Sequence, residues 1–93
     1  MKLDFTKGEN RFYKEEDGKL LAEITFVPKN DSVAIDHTFV DPSLRGQGIA
    51  EQLVDKVVED MKEQGKKIKA VCPYVVELFK RKPEKYDSIN VDA

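Results

Sequence analysis

Between Val40 and Ala50 the chain changes from one structural period to another, and the join carries three small residues. Upstream, Val33, Ile35, His37 and Phe39 alternate as the inner face of a strand does. Downstream, Ile49, Leu53, Val54, Val57, Val58 and Met61 recur at helical spacing, with Glu51, Gln52, Asp55, Lys56, Glu59 and Asp60 turned outward. The join reads Val40-Asp41-Pro42-Ser43-Leu44-Arg45-Gly46-Gln47-Gly48-Ile49-Ala50. Gly46, Gly48 and Ala50 keep side chains away from the helix start. Such a start holds four backbone N–H groups without internal partners and roughly half a positive charge. Bare backbone aimed at that point forms a phosphate seat. Glycines alone would suggest only a tight turn; strand, loop and helix in register favour the seat.

The rest of the chain supplies the sheet on which this unit rests. Leu3–Lys7 reads as a short first strand and Arg11–Glu15 as a second. Asp17-Gly18 is a two-residue hairpin signal, followed by a strand over Lys19–Val27. Pro28-Lys29-Asn30-Asp31-Ser32 is turn chemistry, and Val33–Val40 is the next strand. These four form an antiparallel meander. Gly65 suits the C-terminus of the long helix, with Lys66-Lys67 at its negative end. Ile68–Cys72 then reads as a strand, and a strand–helix–strand unit makes it parallel to Val33–Val40 through a right-handed crossover. Pro73 opens a short helix to about Arg81, Pro83 lies just beyond it, and Tyr86–Val91 is a last short strand or a loose tail. The predicted fold class is α+β: a mixed, mostly antiparallel sheet with one parallel strand and two helices, in one domain over residues 1–93.

Composition closes several routes. A chain of 93 residues, 40 % hydrophobic and 37 % charged, is globular with a small core. A net charge of −2 gives no general attraction to nucleic acid or to an anionic membrane. Cys72 is the sole cysteine, so an internal disulfide and a cysteine-based zinc site are excluded, and a reducing compartment fits. No signal peptide and no apolar span is visible, so the expectation is a cytoplasmic protein without a metal site.

The stretch Val40-x-Pro42-x-Leu44-Arg45-Gly46-Gln47-Gly48-Ile49-Ala50 resembles the acetyl-CoA motif of the GNAT N-acetyltransferase superfamily, in which Gln/Arg-x-x-Gly-x-Gly/Ala is met here by Arg45, Gly48 and Ala50. The resemblance covers roughly Ala34 to Arg81. It is nearest to very small members, which pair a His-Thr before the motif with a Cys-Pro-Tyr after the next strand. Those stand here as His37-Thr38 and Cys72-Pro73-Tyr74. It implies a GNAT-like minimal fold that binds acetyl-CoA or CoA and passes acetyl to an amine; a shallow, open site would suit a protein lysine or a pocket completed by a partner. Backbone N–H groups of Arg45, Gly46, Gln47, Gly48, Ile49 and Ala50 would hold the pyrophosphate. Backbone groups of Thr38, Phe39 and Val40 would pair with the pantetheine arm, and the thioester would lie where the two parallel strands splay. Larger members carry helices near the N-terminus that shape the acceptor site, whereas this chain begins almost directly with strands. Many also place a tyrosine where this chain has Phe79, which has no hydroxyl with which to protonate the thiolate.

Acetyl transfer needs a base for the amine and an acid for the departing thiolate. Cys72 precedes a helix start, where a thiol becomes a better nucleophile; it either takes the acetyl group, protonates the thiolate, or is a buried filler. His37 is either a core histidine or a base near the thioester. Asp36 points to the other side of the sheet unless a bulge resets the alternation. Tyr74 is the replacement acid for the hydroxyl that Phe79 lacks, or a side chain packed over its helix. Lys80, Arg81, Lys82 and Lys85 either meet a phosphate of CoA or complement their own helix end. A domain that holds acetyl-CoA without turnover, as a sensor or interaction module, is the second reading. A ligand-free interaction domain is the third.

Overall fold

The computed structural model describes residues 3–93. Asp17 and Gly18 adopt φ of 51° and 78°, the positive pair that a tight hairpin turn demands. They join β2 (Arg11–Glu16) to β3 (Lys19–Pro28), while β1 (Thr6–Gly8) lies on the far side of β2 and β4 (Ser32–Val40) on the far side of β3. All three of these pairings are antiparallel. β5 (Lys67–Ala70) completes the sheet in the order β1-β2-β3-β4-β5 and runs parallel to β4, as expected for a strand reached through the long helix α1 (Ile49–Gln64).

The first strand starts later than Leu3. Leu3 and Phe5 instead pack against the core, and Leu3 N–H donates to Gln52 Oε1 on α1 at 2.9 Å. The helix buries Ile49, Leu53, Val54, Val57, Val58 and Met61 against Phe12, Ala22, Ile24, Phe26, Val33, Ile35 and Ile68. Each such side chain contributes about 1.5–3 kcal/mol by leaving water. Gly65 ends the helix at φ 70°; its N–H reaches Lys62 O and Lys66 N–H reaches Met61 O.

One expectation about β4 is corrected. Thr25 pairs with His37 but Phe26 pairs with Ile35, so Asp36 is an extra residue with no opposite number in the β3 register. This bulge reverses the alternation beyond it. Val33 and Ile35 face the helices as predicted, but the inner positions that follow are Thr38 and Val40, opposite Ile24 and Ala22. His37 and Phe39 stand on the other face, which no helix of the described residues covers, and His37 is exposed.

After β5, Pro73 opens α2 (Pro73–Arg81), and a one-turn helix α3 (Pro83–Tyr86) follows. The region Tyr86–Val91 is neither a full strand nor loose. Tyr86 is fully buried and stacks on Phe79, with ring centroids 4.9 Å apart and an interplanar angle of 23°. Ile68 N–H then donates to Ile89 O at 2.8 Å and Ile68 O accepts from Val91 N–H at 2.9 Å, a single parallel bridge on the outer edge of β5. Among the described residues no helix is long and apolar enough to cross a membrane.

Candidate functional site

The loop between β4 and α1 is anchored at its first residue. Asp41 is buried, and its N–H donates to Leu21 O on β3 at 2.8 Å. Its carboxylate accepts from Ser43 N–H at 3.1 Å and from the Ser43 hydroxyl at 2.5 Å, capping a single 3-10 turn over Pro42–Leu44. These bonds, with Lys19 Nζ 3.6 Å away, hold the Asp41 carboxyl below its ordinary range. Because Asp41 addresses β3, strand alternation turns the carbonyl of Val40 to the opposite side. There it accepts from Arg45 Nε at 3.1 Å. Arg45 thus fastens the loop to the end of β4.

Gly46 and Gly48 then take φ of 81° and 74°. No atom lies within 4 Å of the position that a Cβ would occupy on either residue. Their conformation needs glycine, yet the folded chain leaves the space above them open. Both glycines also line a cavity of about 210 Å³, together with Val40, Leu44, Ala50 and Tyr74. The first bond of α1 joins Gln52 N–H to Gly48 O, so the N–H groups of Ile49, Ala50 and Glu51 have no acceptor within the helix. Gln47 is exposed beside them.

The second part of the site is a gap in the sheet. β5 ends at Ala70, and Ile35 O accepts from both Val71 N–H (3.0 Å) and Cys72 N–H (2.9 Å). Beyond Ile35, β4 continues to Val40 with no strand on this edge. Alternation directs the backbone groups of Thr38 and Val40 into the gap and those of Phe39 toward β3. Cys72 sits at the gap's closed end, buried, one residue before α2. Its Sγ lies 3.3 Å from Thr38 Oγ1. The structure therefore brings Thr38, Val40, Cys72 and the glycine loop along one line, with Tyr74 over the cavity. Burial, with the charge of Glu51, pushes the Tyr74 phenol above its ordinary range, so it stays protonated.

His37 is not among these groups. The bulge sends its side chain to the uncovered face, away from the helices that pack over Cys72. Asp36 is exposed and accepts from Thr25 Oγ1 at 2.7 Å. Phe79 is buried against Tyr86, whose own hydroxyl donates to Asp55 Oδ1 at 2.7 Å. That hydroxyl is committed to α1, and burial together with the Asp55 bond pushes its pKa well up.

Within the basic cluster Lys82 and Lys85 reach back to α1, while Lys80 and Arg81 are exposed. Lys82 Nζ lies 3.1 and 2.9 Å from the two oxygens of Glu51, and Lys85 Nζ lies 2.7 Å from Glu51 Oε2 and 3.1 Å from Asp55 Oδ2. Lys85 and then Lys82 pull the Glu51 carboxyl down to about 2. Sequence reading assigned Glu51 and Asp55 to a solvated face and missed this tie. Its signal was present: two acids four residues apart on one helix face two lysines three residues apart on another element. Among the described residues no group of three or more metal-binding side chains gathers.

A mixed sheet split along one edge, with an anion-competent loop feeding its main helix, defines the class of small α+β domains built around one strand–loop–helix unit. A family model described as GCN5-related N-acetyltransferase matches residues 11–89, and the chain belongs to that family. It is similar to a GCN5-like protein from Staphylococcus aureus known from its solution structure, at 35 % identity and a TM-score of 0.79, with 96 % of this chain and 88 % of that one covered. The fold is shared with a ribosomal-protein-alanine N-acetyltransferase from Brucella melitensis at 23 % identity and a TM-score of 0.64, covering 76 % of this chain and 58 % of that one. It is shared too with an acetyltransferase from Vibrio fischeri at 22 % identity and a TM-score of 0.54, covering 67 % and 59 %. No curated protein matches the chain.

Proposed function

We propose that the chain binds acetyl-CoA and transfers its acetyl group to an amine. The pyrophosphate meets the free N–H groups at the start of α1, the pantetheine arm lies along the gap edge at Thr38 and Val40, and the thioester ends beside Cys72. The observation that carries this reading is the cavity that Gly46 and Gly48 line at the start of α1, in line with the unpaired edge that leads to Cys72.

Two routes are chemically complete. In one, the amine attacks the thioester carbonyl directly, loses its proton to a base, and CoA leaves as a thiolate. In the other, the Cys72 thiolate attacks first, CoA thiolate leaves and is protonated, and the amine then takes the acetyl group from sulfur. The Tyr74 phenol, which lines the cavity with the loop, is the proton donor in this reading, since Phe79 has none to give. His37 suits an acceptor that arrives from the uncovered face, where its imidazole meets the amine before the gap does. An open face without a lid suits a lysine carried on a protein, met in the cytoplasm. The second reading, a domain that holds acetyl-CoA without turnover, draws on Phe79, which has no hydroxyl to give.

The test is a titration of the protein with acetyl-CoA and with CoA, followed by intact mass after ligand removal. Binding with the gain of one acetyl group, absent in Cys72→Ala, supports the covalent route. Binding without mass gain, with turnover of an amine, supports direct attack. Binding without turnover across an amine panel supports the sensor, and absence of binding sinks the reading.

A further inference from the structure

We infer that Lys82 and Lys85 are positioning residues for the anion seat, holding the Glu51 carboxylate off it and cancelling its charge, a role that rests on the diphosphate reading of the loop above. Glu51 is the third residue of α1. A glutamate at that position commonly folds back onto the backbone N–H of the residue before the helix. Here that residue is Gly48, which lines the cavity and has no side-chain cap. A carboxylate so placed would occupy donors that a phosphate needs and would repel the phosphate itself. Instead the Glu51 oxygens are drawn to the segment around α3. Lys82 Nζ meets both of them, at 3.1 and 2.9 Å, and Lys85 Nζ meets Oε2 at 2.7 Å.

The balance of charge beside the seat depends on this pair. Asp55, one turn further along α1, accepts from Lys85 Nζ at 3.1 Å and from the Tyr86 hydroxyl at 2.7 Å. Two carboxylates and two ammoniums therefore cancel. Without the lysines, both negative charges would stand in the first two turns of the helix that offers its N-terminus to the ligand. The core holds the lysines where they are needed. Lys82 joins α2 to α3, and Tyr86, next to Lys85, is fully buried and stacked on Phe79. Neither lysine lines the cavity, so each acts on it through Glu51. The charge of Glu51 does reach the cavity, because it helps to raise the Tyr74 phenol on its wall.

Calorimetric titration with CoA and with dephospho-CoA, which keeps the diphosphate and lacks the 3′-phosphate, tests this role. Lys82→Gln/Lys85→Gln should weaken both ligands roughly tenfold, the weight of one charge-assisted contact, and adding Glu51→Gln should bring them back to within about threefold of the parent. Glu51→Gln alone cuts the same bonds but leaves both ammoniums uncancelled, so it should tighten CoA about threefold. That variant decides the matter if the lysine pair does not fold. Lys62→Gln/Lys66→Gln removes the same charge at the far end of α1 and should match the parent within about twofold. No recovery in the triple variant, or weaker binding by Glu51→Gln, would make the tie purely structural and overturn the assignment. A loss seen with CoA but not with dephospho-CoA would overturn it too, since the lysines would then hold the 3′-phosphate directly. A parent that binds no CoA refutes the seat itself. A parent that binds CoA while every variant matches it leaves the seat standing and the lysines without this role.

Discussion

Gly48→Ala and Gly65→Ala form a matched pair that separates backbone strain from ligand contact. Both glycines flank α1, both have positive φ (74° and 70°), and neither has an atom within 4 Å of a prospective Cβ. In the free protein each alanine therefore meets no clash and carries only the left-handed penalty, about 1–2 kcal/mol. For a domain of this size each kcal/mol lowers Tm by roughly 4–8 °C, so the two variants should melt at similar, reduced temperatures. Their ligand behaviour should differ. Position 48 lines the cavity at the start of α1 together with Ile49 and Ala50, where an added methyl would compete with a bound phosphate, while position 65 lies at the opposite end of the helix. Losing one hydrogen bond to a charged acceptor removes about 1.5–3 kcal/mol. That corresponds to roughly ten- to a hundredfold weaker binding of CoA by Gly48→Ala, with Gly65→Ala at the parental affinity. Calorimetric titration with CoA measures the first quantity and thermal unfolding the second. Equal CoA affinities in the two variants would refute the assignment of the loop as a phosphate seat, and an undiminished Tm in both would refute the strain argument.

Three further outcomes follow from the side-chain network. The folded Glu51 carboxyl titrates near 2 against an ordinary 4.5, so its contribution is complete above about pH 4.5 and is lost as pH falls toward 2. The full shift is worth about 3 kcal/mol at 1.36 kcal/mol per unit, and solvent screening of a pair with lysines 41–43 % exposed reduces it to about 1 kcal/mol. Denaturant unfolding of Glu51→Gln between pH 5 and pH 2, on the order of that window, should lack this drop, and parallel curves for parent and variant would contradict it. Tyr86→Phe removes the 2.7 Å bond to Asp55 and should cost about 1–2 kcal/mol in urea melts; a loss near zero would mean that water replaces the bond freely. Thr38→Val removes the hydroxyl 3.3 Å from Cys72 Sγ and should slow alkylation of Cys72 about fivefold, whereas an unchanged rate would show that the contact does not support the thiolate.

Local signals carried most of the fold. Asp17-Gly18 announced the hairpin because positive φ at both positions has few alternatives, and α1 was readable because six apolar residues share one helical stripe. The glycine loop was readable for the same reason. What sequence alone concealed was whatever depends on register between strands. The bulge at Asp36 has no composition of its own: Ile35-Asp36-His37 looks like ordinary alternation, and only the pairing with Thr25 and Phe26 reveals the extra residue. His37 was accordingly placed on the inner face and lies on the outer one. The tie between Glu51 and the lysines of the C-terminal segment was hidden by sequence separations of 31 and 34, since nothing local says that the segment around α3 returns to the first turn of α1. Tyr86 read as part of a tail because a single aromatic has no period, yet it is among the largest fully buried side chains.

The extra residue in β4 also sets which kinds of change this domain tolerates. Substituting Asp36 alters one exposed side chain whose bond is to Thr25. Deleting it is a different event, yet a mild one for the faces: Ile35 and His37 already oppose consecutive residues of β3, so the bulge would close with His37 to Val40 on their present sides. Losing Phe39 instead has no such slack, because Val40 would exchange inside for outside ahead of the loop that begins at Asp41. The bulge thus works as an expansion joint, a place where the strand can change its residue count without changing its phase.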